Sequence, residues 1–202
     1  ITSALTFNVK AGLTYQEILP IIIATGTSVN TITIQRSSSG ANPILKTGGV
    51  YSSVNKQAGI LVHGGDYFTF DGIDIALTDA TNNKTLDYGY QIRNASATDG
   101  AQFNTFKNMK ITLNRNLLSS TGIMQNTSSN VGGVTPTNVS GECSFNKYYN
   151  FIIENVNSGI LLNAVSNSFF AQKCEIGVTA GGSSIIGGNT SGDIGGGGNI
   201  WG

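Results

Sequence analysis

At 202 residues the chain has the length of one domain, and with 27 glycines, 3 prolines and 11% charged residues it lacks the periodic charge of amphipathic helices. Eleven Lys and Arg balance eleven Asp and Glu, which argues against a dedicated nucleic-acid or anionic-membrane surface. No apolar run reaches the roughly 18 residues of a membrane helix, and no signal peptide is visible; the chain starts abruptly at Ile1, as a mature or excised fragment would.

Leu5 to Val9 alternates apolar and polar residues as a first strand. Tyr15 to Ile23 is the only stretch that can be read as a helix, but Pro20 stands in its middle and Ile21, Ile22 and Ile23 are β-branched. It is therefore expected to be an extended capping segment, covering an end that would otherwise expose core and unpaired backbone. Thr31 to Gln35 is a clean strand, Ser37 to Pro43 a turn cluster, and Ile44, Leu45 and Val50 complete a first coil, so that residues 1–58 form cap and first coil.

From Gly59 onward two phrases repeat. The first is Gly59-Ile-Leu-Val-His63, Gly89-Tyr-Gln-Ile-Arg93, Gly122-Ile-Met-Gln-Asn126 and Gly159-Ile-Leu-Leu-Asn163, with steps of 30, 33 and 37 residues between the glycines. The second starts at Phe68, Asn104 and Asn146. It aligns Phe70, Phe106 and Tyr148 in one column, Ile73, Met109 and Phe151 in another, and Ile75, Ile111 and Ile153 in a third. Between these apolar columns stand Gly72, Asn108 and Asn150, the residue types that tolerate a left-handed backbone at least cost, so a bend repeated in register is expected there. Constant strands with loops of varying length describe stacked coils with insertions on the outside. The repeated coils span 59–176; a fourth copy around Phe169, Phe170, Cys174 and Ile176 is blurred, and 177–202 is a Gly-rich last coil with a brief strand at Ile185 and Ile186. No cap follows, and the natural protein is expected to continue past Gly202.

Together these phrases resemble right-handed parallel β-helix proteins of the pectin-lyase-like superfold, over roughly residues 30 to 190. The opening, with Gly26-Thr-Ser-Val-Asn-Thr-Ile-Thr-Ile34, looks like the start of large secreted β-helix proteins of Bacteroidetes bacteria, some of them cell-surface adhesins exported by the type IX system. The resemblance implies an all-β solenoid, a bacterial secreted or cell-surface location, and a polysaccharide or cell-surface glycan as partner.

Lyases and hydrolases of that superfold place carboxylates, often with calcium, and Arg or Lys on one outer face. Here the candidates are Asp66, Asp71, Asp74, Lys107, Lys110 and Arg93, with Asp71, Asp74 and Arg93 as the catalytic alternative. Stacking sets Asp71 over Lys107 and Asp74 over Lys110, and opposite charges in one column are ordinary cross-strand pairs that lower a carboxylate's pKa. His63-Gly64 is similar to a dipeptide of the pectin-hydrolysing branch, but the acidic motifs that accompany it there are missing, leaving no acid and base pair. His63 instead begins a column continued by Arg93, Asn126 and Asn163, expected to be a degenerate asparagine ladder. Cys143 and Cys174 do not share a column and are expected to be two separate thiols; no metal or cofactor motif is present, calcium belonging only to the lyase alternative. The expectation is thus a non-catalytic, carbohydrate- or surface-binding rod, with Tyr88, Tyr149 and Trp201 as stacking platforms for sugar rings. Its alternative is a polysaccharide lyase or glycoside hydrolase whose active site lies partly outside this sequence.

Overall fold

The computed structural model describes the chain except residues 18–19, 48, 51–56, 78–83, 128–132, 165, 188–199 and 202, and the side chains of 49–50, 84–85 and 200–201. The described residues form an all-β structure whose main sheets are parallel throughout. The first strands are β1 (Leu5–Val9), β2 (Thr14–Tyr15), β3 (Ile32–Arg36), β4 (Ile44–Thr47), β5 (Gly49–Val50) and β6 (Ala58–His63). Next come β7 (Phe68–Asp71), β8 (Asp74–Leu77), β9 (Lys84–Thr85), β10 (Tyr88–Arg93), β11 (Thr105–Thr112) and β12 (Thr121–Asn126). The last are β13 (Lys147–Glu154), β14 (Ser158–Asn163), β15 (Glu175–Gly177), β16 (Ile185–Ile186) and β17 (Ile200–Trp201).

The chain passes repeatedly between two sheets. One has ten strands, built around β1, β3, β7, β11 and β13; the other runs β6, β10, β12, β14, β17. A two-stranded antiparallel pair, β5 with β9, stands apart. Register follows the repeated phrases residue for residue: Phe70 pairs Phe106 and Phe106 pairs Tyr148, while Ile75 pairs Ile111 and Ile111 pairs Ile153. All are essentially inaccessible, as are Ile60, Ile92, Ile123 and Ile160 from the second sheet. The rings of Phe70, Phe106 and Tyr148 stack at 5.2 and 5.4 Å between centroids, with Tyr90 meeting Phe70 and Phe106 edge-on. Burial of each such ring contributes about 2 kcal/mol, and the offset stacking adds to that.

The repeated glycines have a packing reason. A Cβ on Gly59, Gly89, Gly122 or Gly159 would lie 2.5 Å from the Cγ2 of Ile75, Ile111, Ile153 or Ile186 respectively. Each isoleucine of the first sheet thus rests on bare backbone of the second, and the two repeated phrases are halves of one contact.

The bend column is left-handed, with φ of +70° at Gly72, +56° at Asn108 and +51° at Asn150. A second left-handed column consists of Tyr67, Phe103, Phe145 and Lys173, at +57°, +57°, +61° and +51°. Between these corners, buried asparagines tie one pass to the next. Asn104 accepts from the Phe68 N–H and donates to the Gly65 carbonyl; Asn146 accepts from the Asn104 N–H and donates to the Ala101 carbonyl, all at 2.9 Å.

The blurred fourth copy resolves differently from its apolar residues. Glu175 and Ile176 continue the Lys147 and Tyr148 columns and Ile186 continues the Ile153 column, while Phe170 is exposed. An insertion between β15 and β16 separates the halves of the phrase. At the other end, Ile22 of the expected capping segment bridges Val62 in parallel, but Phe7, Leu13, Ile21 and Ile23 remain exposed; Ile18 and Leu19 of that segment lie outside the described residues. Both thiols are free, Cys143 buried and Cys174 half-buried. Burial pushes the Cys143 thiol up to about 12, the mark of an inert thiol.

Candidate functional site

Residues that alternate with the buried columns of the first sheet face away from the core. Thr33, Thr69, Thr105, Lys147 and Glu175 make one such column, and Gln35, Asp71, Lys107, Tyr149 and Gly177 the next. The result is a flat polar face crossed by ion pairs: Lys107 to Asp71 at 3.0 Å and Lys147 to Glu175 at 3.0 Å. Tyr149 donates its hydroxyl to Glu175, and that bond holds its phenol up to about 12. The next position in its column is Gly177, around which a Cβ would meet no atom within 4 Å. The ring is therefore pinned at its hydroxyl and has open space beside it.

Beyond the bend, this face drops into a groove of about 500 Å³ lined by Asn42, Asp74, Asn108, Lys110, Asn150 and the loop Gly181 to Ser183. Its wall is a chain of amides. Asn150 donates to Asn108 Oδ1 at 3.1 Å and to Thr179 Oγ1 at 2.6 Å, and Asn108 donates to Asp71 Oδ1 at 2.6 Å. Asn42 donates both to Asp74 Oδ1 and to the Asn108 carbonyl, at 2.7 Å. The left-handed backbone required for the bend thus also places these side chains in a row on the outside. Such a groove can exchange hydrogen bonds with a hydroxyl-rich ligand at many points.

The charges differ from expectation at Asp74. Lys110 lies beside it and gives it its backbone N–H, at 2.8 Å, but sends its ammonium to Glu154 of the next pass at 2.6 Å, acting on Asp74 only through its field. Burial raises the pKa of Asp74, against the lowering effect of the Asn42 and Lys110 hydrogen bonds. Other mid-chain acids accept from uncharged donors. Asp66 accepts the Gln102 N–H, and burial, reinforced by Asp99, raises it to about 6. Asp87 accepts from the Gln57 N–H and the Ser119 hydroxyl, and Glu142 from Ser144 and Gln172. Amides and hydroxyls take these places in a chain with abundant Asn, Ser and Thr.

Among the sugar platforms, Tyr88 fails: it is 2% exposed and has no face to offer. Tyr149 is available. Trp201 belongs to β17, paired with β14, and its side chain lies outside the described residues. Tyr90, within β10, is core, donating its hydroxyl to the Ile73 carbonyl at 2.8 Å. Of the three catalytic alternatives, Asp71 and Asp74 flank the bend on the first sheet, whereas Arg93 ends β10 in the second; the fold does not place the three on one sheet. Among the described residues no group of three or more His, Cys, Asp or Glu side chains is arranged to hold a metal ion.

His63, Arg93, Asn126 and Asn163 do share one column in the second sheet. Only its last step is an amide-to-amide bond, Asn163 to Asn126 at 3.4 Å. The stronger ladders are Asn104 with Asn146 inside and Asn108 with Asn150 outside. Sequence reading also passed over the aromatic corner, where Tyr67, Phe103 and Phe145 stack nearly parallel at 4.9 and 4.6 Å with Lys173 over the last ring. Its signal was an aromatic residue directly before each of the three repeated units. Both faces of Phe103 are thus taken by rings, and those of Phe145 by Phe103 and Lys173. No family model, curated protein or solved structure matches this chain.

Proposed function

We propose that this chain is a section of a right-handed parallel β-helix of the pectin-lyase-like kind, acting as a non-catalytic rod at the surface of, or secreted from, a bacterium and binding glycans along its first sheet. The observation that carries the reading is Tyr149, pinned by Glu175 with the Gly177 position empty beside it, and followed directly in the chain by Asn150 of the amide-lined groove. An aromatic ring with an open flank accepts the C–H face of a sugar, while the second amide N–H of Asn108 and the remaining lone pairs of the Asn42 and Asn150 oxygens can meet its hydroxyls. Neutral overall charge and a surface rich in Thr, Asn and Ser suit weak, repeated contacts with a neutral polymer.

Desolvated Asp74 in the same groove favours a second reading, a glycan-cleaving site with Asp74 as proton donor. One experiment separates them. The purified chain is titrated with soluble neutral and acidic polysaccharides by calorimetry, and the mixtures are assayed for new reducing ends and unsaturated uronic acids. Binding without cleavage, weakened at least about tenfold by Tyr149→Ala with unchanged circular dichroism, is the expected result. Cleavage abolished by Asp74→Asn replaces the rod with the enzyme, and absence of binding, or equal binding by Tyr149→Ala, refutes the site.

A further inference from the structure

The second sheet holds a charge that no described carboxylate pairs with. Across β6, β10, β12 and β14 Arg93 is the only Lys or Arg, standing in register between His63 and Asn126. Its Nε is buried and has no hydrogen-bond partner, and no described carboxylate forms an ion pair with it. Burial lowers its pKa with no neighbouring charge opposing the effect. The carboxylate in this region, Asp99, lies against Gly64 and acts on His63. A guanidinium drawn partly out of water without a counter-ion is a cost that an anion would offset.

We propose that Arg93 is the centre of an oxyanion site that takes a carboxylate group end-on across its two terminal nitrogens. Because Nε is sealed inside while the side chain as a whole is only half-buried, the exposed part is the far end of the guanidinium. Two terminal N–H groups set side by side match the two oxygens of a planar carboxylate. The charge fits as well. Burial and the adjacent Arg93 hold the His63 pKa below its usual value, so near neutral pH the imidazole is uncharged and the column carries a single positive charge. A carboxylate monoanion neutralises it, whereas a phosphate dianion would leave an excess negative charge in a partly desolvated place. This site lies on the opposite sheet from Tyr149 and does not depend on the glycan reading.

The test follows the His63 ring proton by NMR while sodium acetate replaces sodium chloride at constant ionic strength, with sodium glucuronate and sodium phosphate in parallel titrations. Acetate is expected to give a saturable shift with a Kd of about 1 to 10 mM and to raise the His63 pKa, since the bound anion cancels the Arg93 charge. Glucuronate tighter than acetate assigns the carboxylate to a sugar acid; equal affinity assigns it to carboxylates in general. Arg93→Lys, which keeps the charge but loses the fork, should weaken the response about tenfold, Arg93→Gln should abolish it, and Tyr149→Ala should leave it intact. A non-saturable response, phosphate binding tighter than acetate, or the same response in Arg93→Gln overturns the proposal.

Discussion

Replacing Asn146 with alanine tests whether the buried asparagine column, rather than the apolar core alone, locks one pass of the chain to the next. Asn146 is inaccessible, and its amide serves three partners at 2.9 Å: the Asn104 N–H, the Ala101 carbonyl and Gln125 Oε1. Gln125 Oε1 keeps the Tyr148 hydroxyl at 2.7 Å, so alanine strands two buried backbone groups rather than three. At about 1 to 3 kcal/mol for each unsatisfied buried group, and with some relief from water entering the vacated corner, the loss should be about 3 kcal/mol. Asn150→Gly removes comparable bonds on the exposed side, where water substitutes for them, without straining the left-handed backbone, and should cost under about 1 kcal/mol. Urea unfolding followed by far-ultraviolet circular dichroism measures both, with the m-value checking that the unfolding unit has not changed. Equal losses for the two variants, or less than about 1 kcal/mol for Asn146→Ala, would refute the reasoning.

At the bend, Asn150→Gly loses the bonds to Asn108 and Thr179 but keeps the left-handed backbone, whereas Asn150→Val must place a β-branched residue at φ +51°; valine should be the less stable by about 1 to 2 kcal/mol in the same urea assay. Asp66 supplies the pH dependence. Its folded pKa of about 6 stands above the ordinary value of 3.8, so the folded state binds the proton more tightly and stability falls as pH rises from about 4 to 6. Asp66→Asn keeps an acceptor for the Gln102 N–H and should flatten that part of the melting-temperature profile, with its gain over wild type present at pH 7 and absent at pH 3.5. A variant profile parallel to that of wild type would show that another group is responsible.

Much of the frame was legible because stacked parallel strands repeat their residues in register. The columns of Phe70, Ile73 and Ile75 could be aligned without coordinates, and the bend was visible because Gly and Asn are the residues a left-handed turn tolerates. The fourth pass stayed blurred for a physical reason: Phe169 and Phe170 satisfy an apolar pattern as Ile176 does, but where the inserted residues go depends on the strand that accepts Ile176 and Ile186. The candidate site was legible only in part. Tyr149 and the flanking aspartates follow from alternation along a strand, whereas Tyr88 has the same composition signal and is buried.

What the sequence determined by itself is the period, the inward columns and the bend, since each depends on neighbours one pass away that carry the same residue types. Only the tertiary structure decided the ends of the long side chains. Lys110 reaches Glu154 instead of Asp74, Tyr67, Phe103 and Phe145 turn their faces to one another, and Arg93 stands without a counter-charge among the described residues. A long side chain can reach several columns, and the one it reaches depends on the three-dimensional competition for partners.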